Sequence, residues 1–189
     1  MKYTSLILLF VLFSCGEKET ILLPKSDSTI IKEVQDYSPI YLFFKTKGKD
    51  TLVEVNRKNS ISSTNWIFHI DKRLPLRLVV PEIIKLQSKK EGSAHKSETS
   101  ENYFSYSDSI QKNLAFLSFT KVKYQFTTLK SGAIAYFSKN DFSLQKLKSI
   151  SGKITLGFDK NLNFGDYLQY KIAIQNLHLS NVSQEEFVY

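Results

Sequence analysis

One ten-residue pattern occurs twice in this chain. Ile67–Leu76 reads Ile-Phe-His-Ile-Asp-Lys-Arg-Leu-Pro-Leu, and Thr155–Phe164 reads Thr-Leu-Gly-Phe-Asp-Lys-Asn-Leu-Asn-Phe. Each copy begins as an apolar, β-prone run, reaches Asp-Lys-x-Leu-x-apolar, and leads into a stretch with apolar residues three and four apart. That order is strand, turn, amphipathic helix. Asp71 and Asp159 fall where a strand ends, and a short carboxylate there can accept from free turn amides. Asp71, Lys72, Asp159 and Lys160 are therefore read as turn residues with a structural role. A unit used twice points to an α+β fold: a mixed sheet with two or more amphipathic helices on one face, and two candidate related halves, 38–113 and 114–189.

The remaining elements fit around the two units. Pro39–Thr46 and Thr51–Asn56 read as strands joined by the turn Lys47-Gly48-Lys49-Asp50, followed by a strand at Trp66–Ile70. Leu76, Val79, Val80, Ile83 and Leu86 have helical spacing, but Pro81 sits among them. Either the helix kinks there or Pro81 is its first residue; the later start is favoured. Ser88–Glu101 reads as a charged loop, with a short helix near Ser107–Asn113. Leu114–Thr128 is a long β-like run broken once, and Ala133–Phe137 a strand. Asn140 can cap a helix over Asp141–Lys148. Ile154–Phe158 is the second unit's strand, Asp166–Leu177 its helix, and Glu186–Tyr189 a short last strand. Residues 15–37, polar and uneven, read as a tether, leaving 38–189 as the α+β domain.

The first residues carry an address. Leu6–Phe13 is an unbroken apolar run of eight residues after Lys2. A membrane-spanning helix needs about 20 residues, so 1–14 reads as a signal peptide. It ends in Leu12-Phe13-Ser14-Cys15, which resembles the lipobox of bacterial lipoproteins. The resemblance implies cleavage before Cys15, a diacylglycerol on its sulfur, and an acylated new N-terminus. Cys15 is also the one cysteine of the chain, so an intrachain disulfide is excluded. Gly16 follows where inner-membrane retention would place Asp. The expectation is a lipid-anchored outer-membrane lipoprotein, facing the periplasm rather than the outside.

The order of elements in the second half resembles the periplasmic domain of the ExbD and TolR family. That domain has a hairpin, a helix, a strand with an Asp-Lys-like turn, an amphipathic helix and a final strand. The first half shares the hairpin and the Trp66–Lys89 unit, with the loop Asn59–Asn65 in place of a helix. The resemblance implies an envelope module that docks a protein or cell-wall polymer beside an energy-transducing system. It does not imply motor activity, because the family's acidic transmembrane helix is replaced here by the signal.

No nucleophile elbow, phosphate loop, dinucleotide fingerprint or zinc-protease motif is present, and His69, His95 and His178 lack ligand-like neighbours at short spacing. The expectation is a non-enzymatic docking module with no cofactor and no metal; the alternative is a carrier of lipids or small molecules. Tyr103, Phe104 and Tyr106, next to the charged loop, are candidates for partner contact. The net charge is +8, yet only three of the 26 basic residues are arginine. Lysine is chiefly a solvated surface residue, so nucleic acid is not the expected partner; the membrane, an envelope protein or peptidoglycan is. The charge lies in two blocks: residues 45–90 hold 11 basic against 4 acidic residues, and 112–153 hold 8 against 1.

Overall fold

The computed structural model describes residues 20–127, 135–139 and 144–189. The fold is α+β, with two sheets rather than one. The strands are β1 (Lys25–Ser26), β2 (Tyr37–Lys47), β3 (Asp50–Asn56), β4 (Asn65–Ile70), β5 (Asn102–Asp108) and β6 (Leu114–Ser118) in the first sheet. The second holds β7 (Lys123–Phe126), β8 (Ala135–Phe137), β9 (Ile154–Phe158) and β10 (Val182–Val188). The helices are α1 (Leu76–Glu91), α2 (Leu144–Lys148) and α3 (Phe164–Gln175).

The first sheet is mixed. β2, β4 and β5 run parallel, the hairpin partner β3 and the edge strand β6 run antiparallel, and β1 joins the carboxy end of β5 at Ser107 and Asp108. Gly48, at φ +62°, takes the left-handed position of the β2–β3 turn, where a side chain would be strained. The second sheet is parallel throughout, in the order β7-β10-β9-β8. β4–α1–β5 and β9–α3–β10 are thus the same parallel crossover, each launched from one copy of the sequence repeat.

One apolar core joins the halves. Ile40, Leu42, Trp66, Phe68 and Ile70 face Val79, Val80, Ile83 and Leu86 of α1, and the same cluster takes in Leu156, Phe158, Tyr167 and Leu168. α3 lies between the sheets. Tyr167 meets Phe158 of its own sheet at 4.8 Å between ring centroids, and Phe164 meets Phe104 of the other at 5.2 Å. Phe104 also stacks on Phe119 at 3.8 Å. Truncating such a ring to alanine typically costs about 3–5 kcal/mol. On the outer face of the first sheet, Ile67 and Phe116 are covered by Val34 and Ile31.

Several expectations are corrected. α1 starts at Leu76, not Pro81, and Pro81 sits inside it on the exposed side. α3 starts at Phe164, two residues before the expected Asp166. α1 continues through Glu91, into the segment expected to be loop. Ser107–Asn113 is no helix: it is the end of β5 and a turn closed by Lys112 N–H on the Asp108 carbonyl at 3.1 Å. Residues 20–37 are not a free tether. Beyond the β1 pairing, Ile31 bridges Phe116, Val34 is buried, and Thr29 donates its hydroxyl to Asp108. Cys15, the signal residues, Asn140 and Asp141 lie outside the described residues.

Candidate functional site

The two Asp-Lys turns meet. Asp71 accepts from the Arg73 amide at 3.1 Å, and Asp159 accepts from the Asn161 amide at 2.8 Å. Leu74 N–H closes the first turn on the Asp71 carbonyl at 3.1 Å, and Leu162 N–H closes the second on Asp159 at 2.9 Å. Just beyond, Pro75 and Asn163 form an antiparallel bridge. The hydrogen bonds across it are reciprocal. Leu76 N–H donates to the Leu162 carbonyl at 2.9 Å and Phe164 N–H to Leu74 at 2.8 Å. Arg77 N–H donates to Lys160 at 2.8 Å and Gly165 N–H to Lys72 at 3.0 Å. Every member has its counterpart 88 positions along, so a local two-fold axis runs between the turns.

The first amides of an α-helix have no partner within it. Here each half supplies carbonyls for the other half's helix. Pro75, which precedes α1, gives no side-chain cap, whereas Asn163 caps α3 through the Asp166 amide at 2.8 Å. Gly165 allows the close crossing: a Cβ there would lie 3.1 Å from the Lys72 Cβ, 3.2 Å from Asn163 Oδ1 and 3.4 Å from the Lys72 carbonyl oxygen, so its neighbours would have to shift by a few tenths of an ångström.

The copies differ in charge environment. Asp71 is fully buried and takes four donors: the Leu22 amide (3.2 Å), the Arg73 amide, and Arg73 Nε (2.8 Å) and Nη2 (2.7 Å). Burial pushes its carboxyl up, but the Arg73 side chain, the Arg73 and Leu22 amides and the guanidinium charge hold it below the ordinary carboxylate value. The guanidinium lies over the Phe44 ring at 4.2 Å. Asp159 is partly exposed, with no arginine at the matching position.

Two further polar clusters lie in the interior. Glu186 of β10, fully buried, accepts from Tyr167 Oη at 2.9 Å and pairs with Lys171; Tyr167 and Tyr124 hydroxyls are 2.9 Å apart. Burial first, and the Glu186 charge second, push both phenols well above their ordinary value. Lys90, 1% exposed, donates to the Glu101 carbonyl and Asn102 Oδ1 beneath the Trp66 ring. Burial lowers its pKa to about 8.

The expected aromatic contact surface is corrected. Tyr103, Phe104 and Tyr106 belong to β5, inside the first sheet. Phe104 and Tyr106 are fully buried; Tyr106 donates to the Ser28 carbonyl and accepts from the Ile30 amide, both at 2.9 Å. Tyr103, half-buried, donates to Glu101 Oε2 at 2.7 Å. His69 stacks on Tyr41 and shares a hydrogen bond with Ser105 at 2.8 Å; burial lowers its pKa to about 4, so it is neutral at pH 7. Among the described residues no three His, Cys, Asp or Glu gather as metal ligands.

Among the surface grooves of the described residues, two run beside the long helices. One, of about 550 Å³, lies between β1 and α3 and includes Lys25, Gln169 and Tyr170. The other, of about 720 Å³, lies between α1 and the chain leading into β7, with Ile84, Gln87, Lys121, Val122 and Lys123. β7 pairs with β10 on one side and has no strand on its other side among the described residues; its Phe126 is 47% exposed. The sequence places β structure here, within the run Leu114–Thr128 broken once, but not the strand order that puts Lys123–Phe126 at the end of the second sheet.

The chain matches no family model, no curated protein and no solved structure.

Proposed function

We propose that this chain is a lipid-anchored bacterial envelope protein, held through Cys15, that docks a protein partner without catalysing a reaction. The observation that carries the reading is the edge of the second sheet. Among the described residues β7 has no strand on its outer side, and it borders a groove of about 720 Å³, with Phe126 exposed at the strand's end and Lys121 and Lys123 lining the groove. An extended segment can add to such an edge by main-chain hydrogen bonds while its side chains enter the groove. Docking is favoured over carriage because this groove and the one between β1 and α3 are open at the surface and mix polar with apolar residues. The order of elements that resembles ExbD and TolR makes a component of such an energy-transducing system the partner to test first.

The experiment is site-specific photocrosslinking in the native envelope, from a benzophenone residue at Gln125, which is exposed on β7. One discrete adduct is expected, lost when Phe126 is changed to Asp. A smear or no adduct at Gln125, with normal protein level, refutes the edge as the docking site. The anchor has its own test: Cys15→Ala abolishes palmitate labelling and releases the chain from membranes, whereas unchanged labelling refutes lipidation at Cys15.

A further inference from the structure

A lipoprotein with a long tether can stand well away from its membrane. The roughly 22 residue-to-residue steps from Cys15 to Tyr37, fully extended, would reach about 75 Å. The structure leaves no such tether. From Leu22 onward the chain is fixed to the first sheet: Leu22 N–H meets the Asp71 carboxylate, the Leu22 carbonyl accepts from Lys72 N–H at 2.8 Å, and Lys25–Ser26 pairs with β5. The lipid-bearing residue is therefore within about 18 Å of Thr20 along the chain. That bound rests on the lipidation of Cys15 proposed above.

The anchor then determines which end of the domain faces the bilayer. A continuous path leads from Leu22 to Asp71, to Arg73, to Phe44 and along β2 to the Lys47-Gly48-Lys49 turn. This end carries exposed Lys25, Lys47 and Lys49 and partly exposed Lys72. Asp71 is taken up by Arg73 and Glu54 pairs with Lys45 at 3.6 Å; the opposing acids are Asp27 and Asp50 and, at the neighbouring turn, the partly exposed Asp159 and Asp166, the latter held by the Asn163 side chain. Leu22, 45% exposed, adds an apolar contact beside the anchor. The linker itself, with Glu17 and Glu19 against Lys18, is acidic and supplies no attraction.

We propose that this end, formed by Leu22, Lys25, Lys72 and the Lys47–Lys49 turn, lies on the headgroups of an anionic bilayer. The domain is then held close to the membrane by this end, with the β3–β4 loop pointing away. Lysines near an anionic surface act over roughly a Debye length, about 10 Å, which the short linker makes accessible.

The test uses the mature lipidated chain in phosphatidylethanolamine vesicles, with or without phosphatidylglycerol. Nitroxide-headgroup lipids quench dyes placed singly by Thr46→Cys or Asn59→Cys. Both positions are exposed, and β3 separates them by about 20 Å. Mass measurement of the residue-15 peptide comes first. The expected result is a lipidated Cys15, quenching severalfold stronger at 46 than at 59, and an increase at 46 with phosphatidylglycerol. The paired change Lys47→Gln and Lys49→Gln should shift the docked-to-undocked ratio by about 30-fold, returning position 46 to its level on neutral vesicles. Equal quenching at both positions overturns the docking and leaves the anchor standing. An unmodified Cys15 overturns the anchor and the docking with it. Quenching at 46 that is indifferent to phosphatidylglycerol and to the lysine changes overturns the electrostatic basis.

Discussion

Replacing Asp71 by alanine should cost far more than the same change at Asp159, although the two hold equivalent places in the repeat. The Asp71 carboxylate serves two amides, of Leu22 and Arg73, in a site closed to water. A hydrogen bond to a charged group contributes about 1.5–3 kcal/mol, and an amide left without its acceptor loses most of that. The Arg73 side chain is 44% exposed, so it regains water and its ion pair adds at most about 1 kcal/mol. The loss at Asp71 is therefore about 3–5 kcal/mol. Asp159 serves one amide from a partly exposed position, and its loss is about 1 kcal/mol. For a chain of this size 1 kcal/mol moves Tm by about 2–4 °C, so a gap of about 2–4 kcal/mol should separate the variants by roughly 4–16 °C. Urea unfolding at pH 7, followed by Trp66 fluorescence, measures the same gap as a midpoint shift. Equal losses would refute the assignment of the first turn as the clamp on residues 20–24. The pH dependence has a definite sign. The folded carboxyl titrates below its ordinary value of 3.8, so its contribution is complete above that pH and is lost as pH falls through the lower folded value. Asp71→Ala should flatten the acid limb of the stability profile.

Three other outcomes follow from the interior. Gly165→Ala places a Cβ 3.1 Å from the Lys72 Cβ and should cost about 1–3 kcal/mol, whereas Gly152→Ala, with nothing within 4 Å, should leave the urea midpoint unchanged. Glu186→Gln leaves the Lys171 ammonium without its buried counter-charge and should cost about 3–5 kcal/mol by urea unfolding, while Tyr124→Phe, which removes one neutral bond, costs about 1 kcal/mol. Lys90 has a folded pKa of about 8 against 10.5 for the free side chain, so the unfolded chain binds more protons between those values and stability should rise from pH 8 to pH 10. Lys90→Met should remove that rise; a rise that persists assigns it to another group.

The paired turns were legible because Asp71 and Asp159 sit in the same local pattern and do the same local work. The helix starts were not. Leu76 and Phe164 begin helices because carbonyls of Leu162 and Leu74, in the opposite half, take their amides. With only local signals, Pro81 and Asp166 looked like better first residues. Pro81 is tolerated where it is because it lies on the exposed side, so the carbonyl one turn back can turn to water. β5 was hidden by its serines. Ser105 is fully buried, yet its hydroxyl bonds to His69 and the Phe68 carbonyl, so a polar-looking Tyr-Phe-Ser-Tyr-Ser run occupies the middle of a sheet. Residues 20–37 lacked apolar periodicity because hydrogen bonds and short bridges, rather than an amphipathic face, hold them down. The β7 edge depends on strand order, which no local pattern specifies.

The exchange of carbonyls between the two turns also bears on how the chain comes apart. Neither half can lose its turn without uncapping the helix of the other, so opening one side removes support from both. In amide hydrogen exchange, Leu76, Arg77, Phe164 and Gly165 should therefore behave as one set. All four should exchange only with global unfolding, while the outer strand amides of β3 exchange earlier by local fraying. A chain cut between the halves would not yield two small stable proteins but two fragments that fold on meeting.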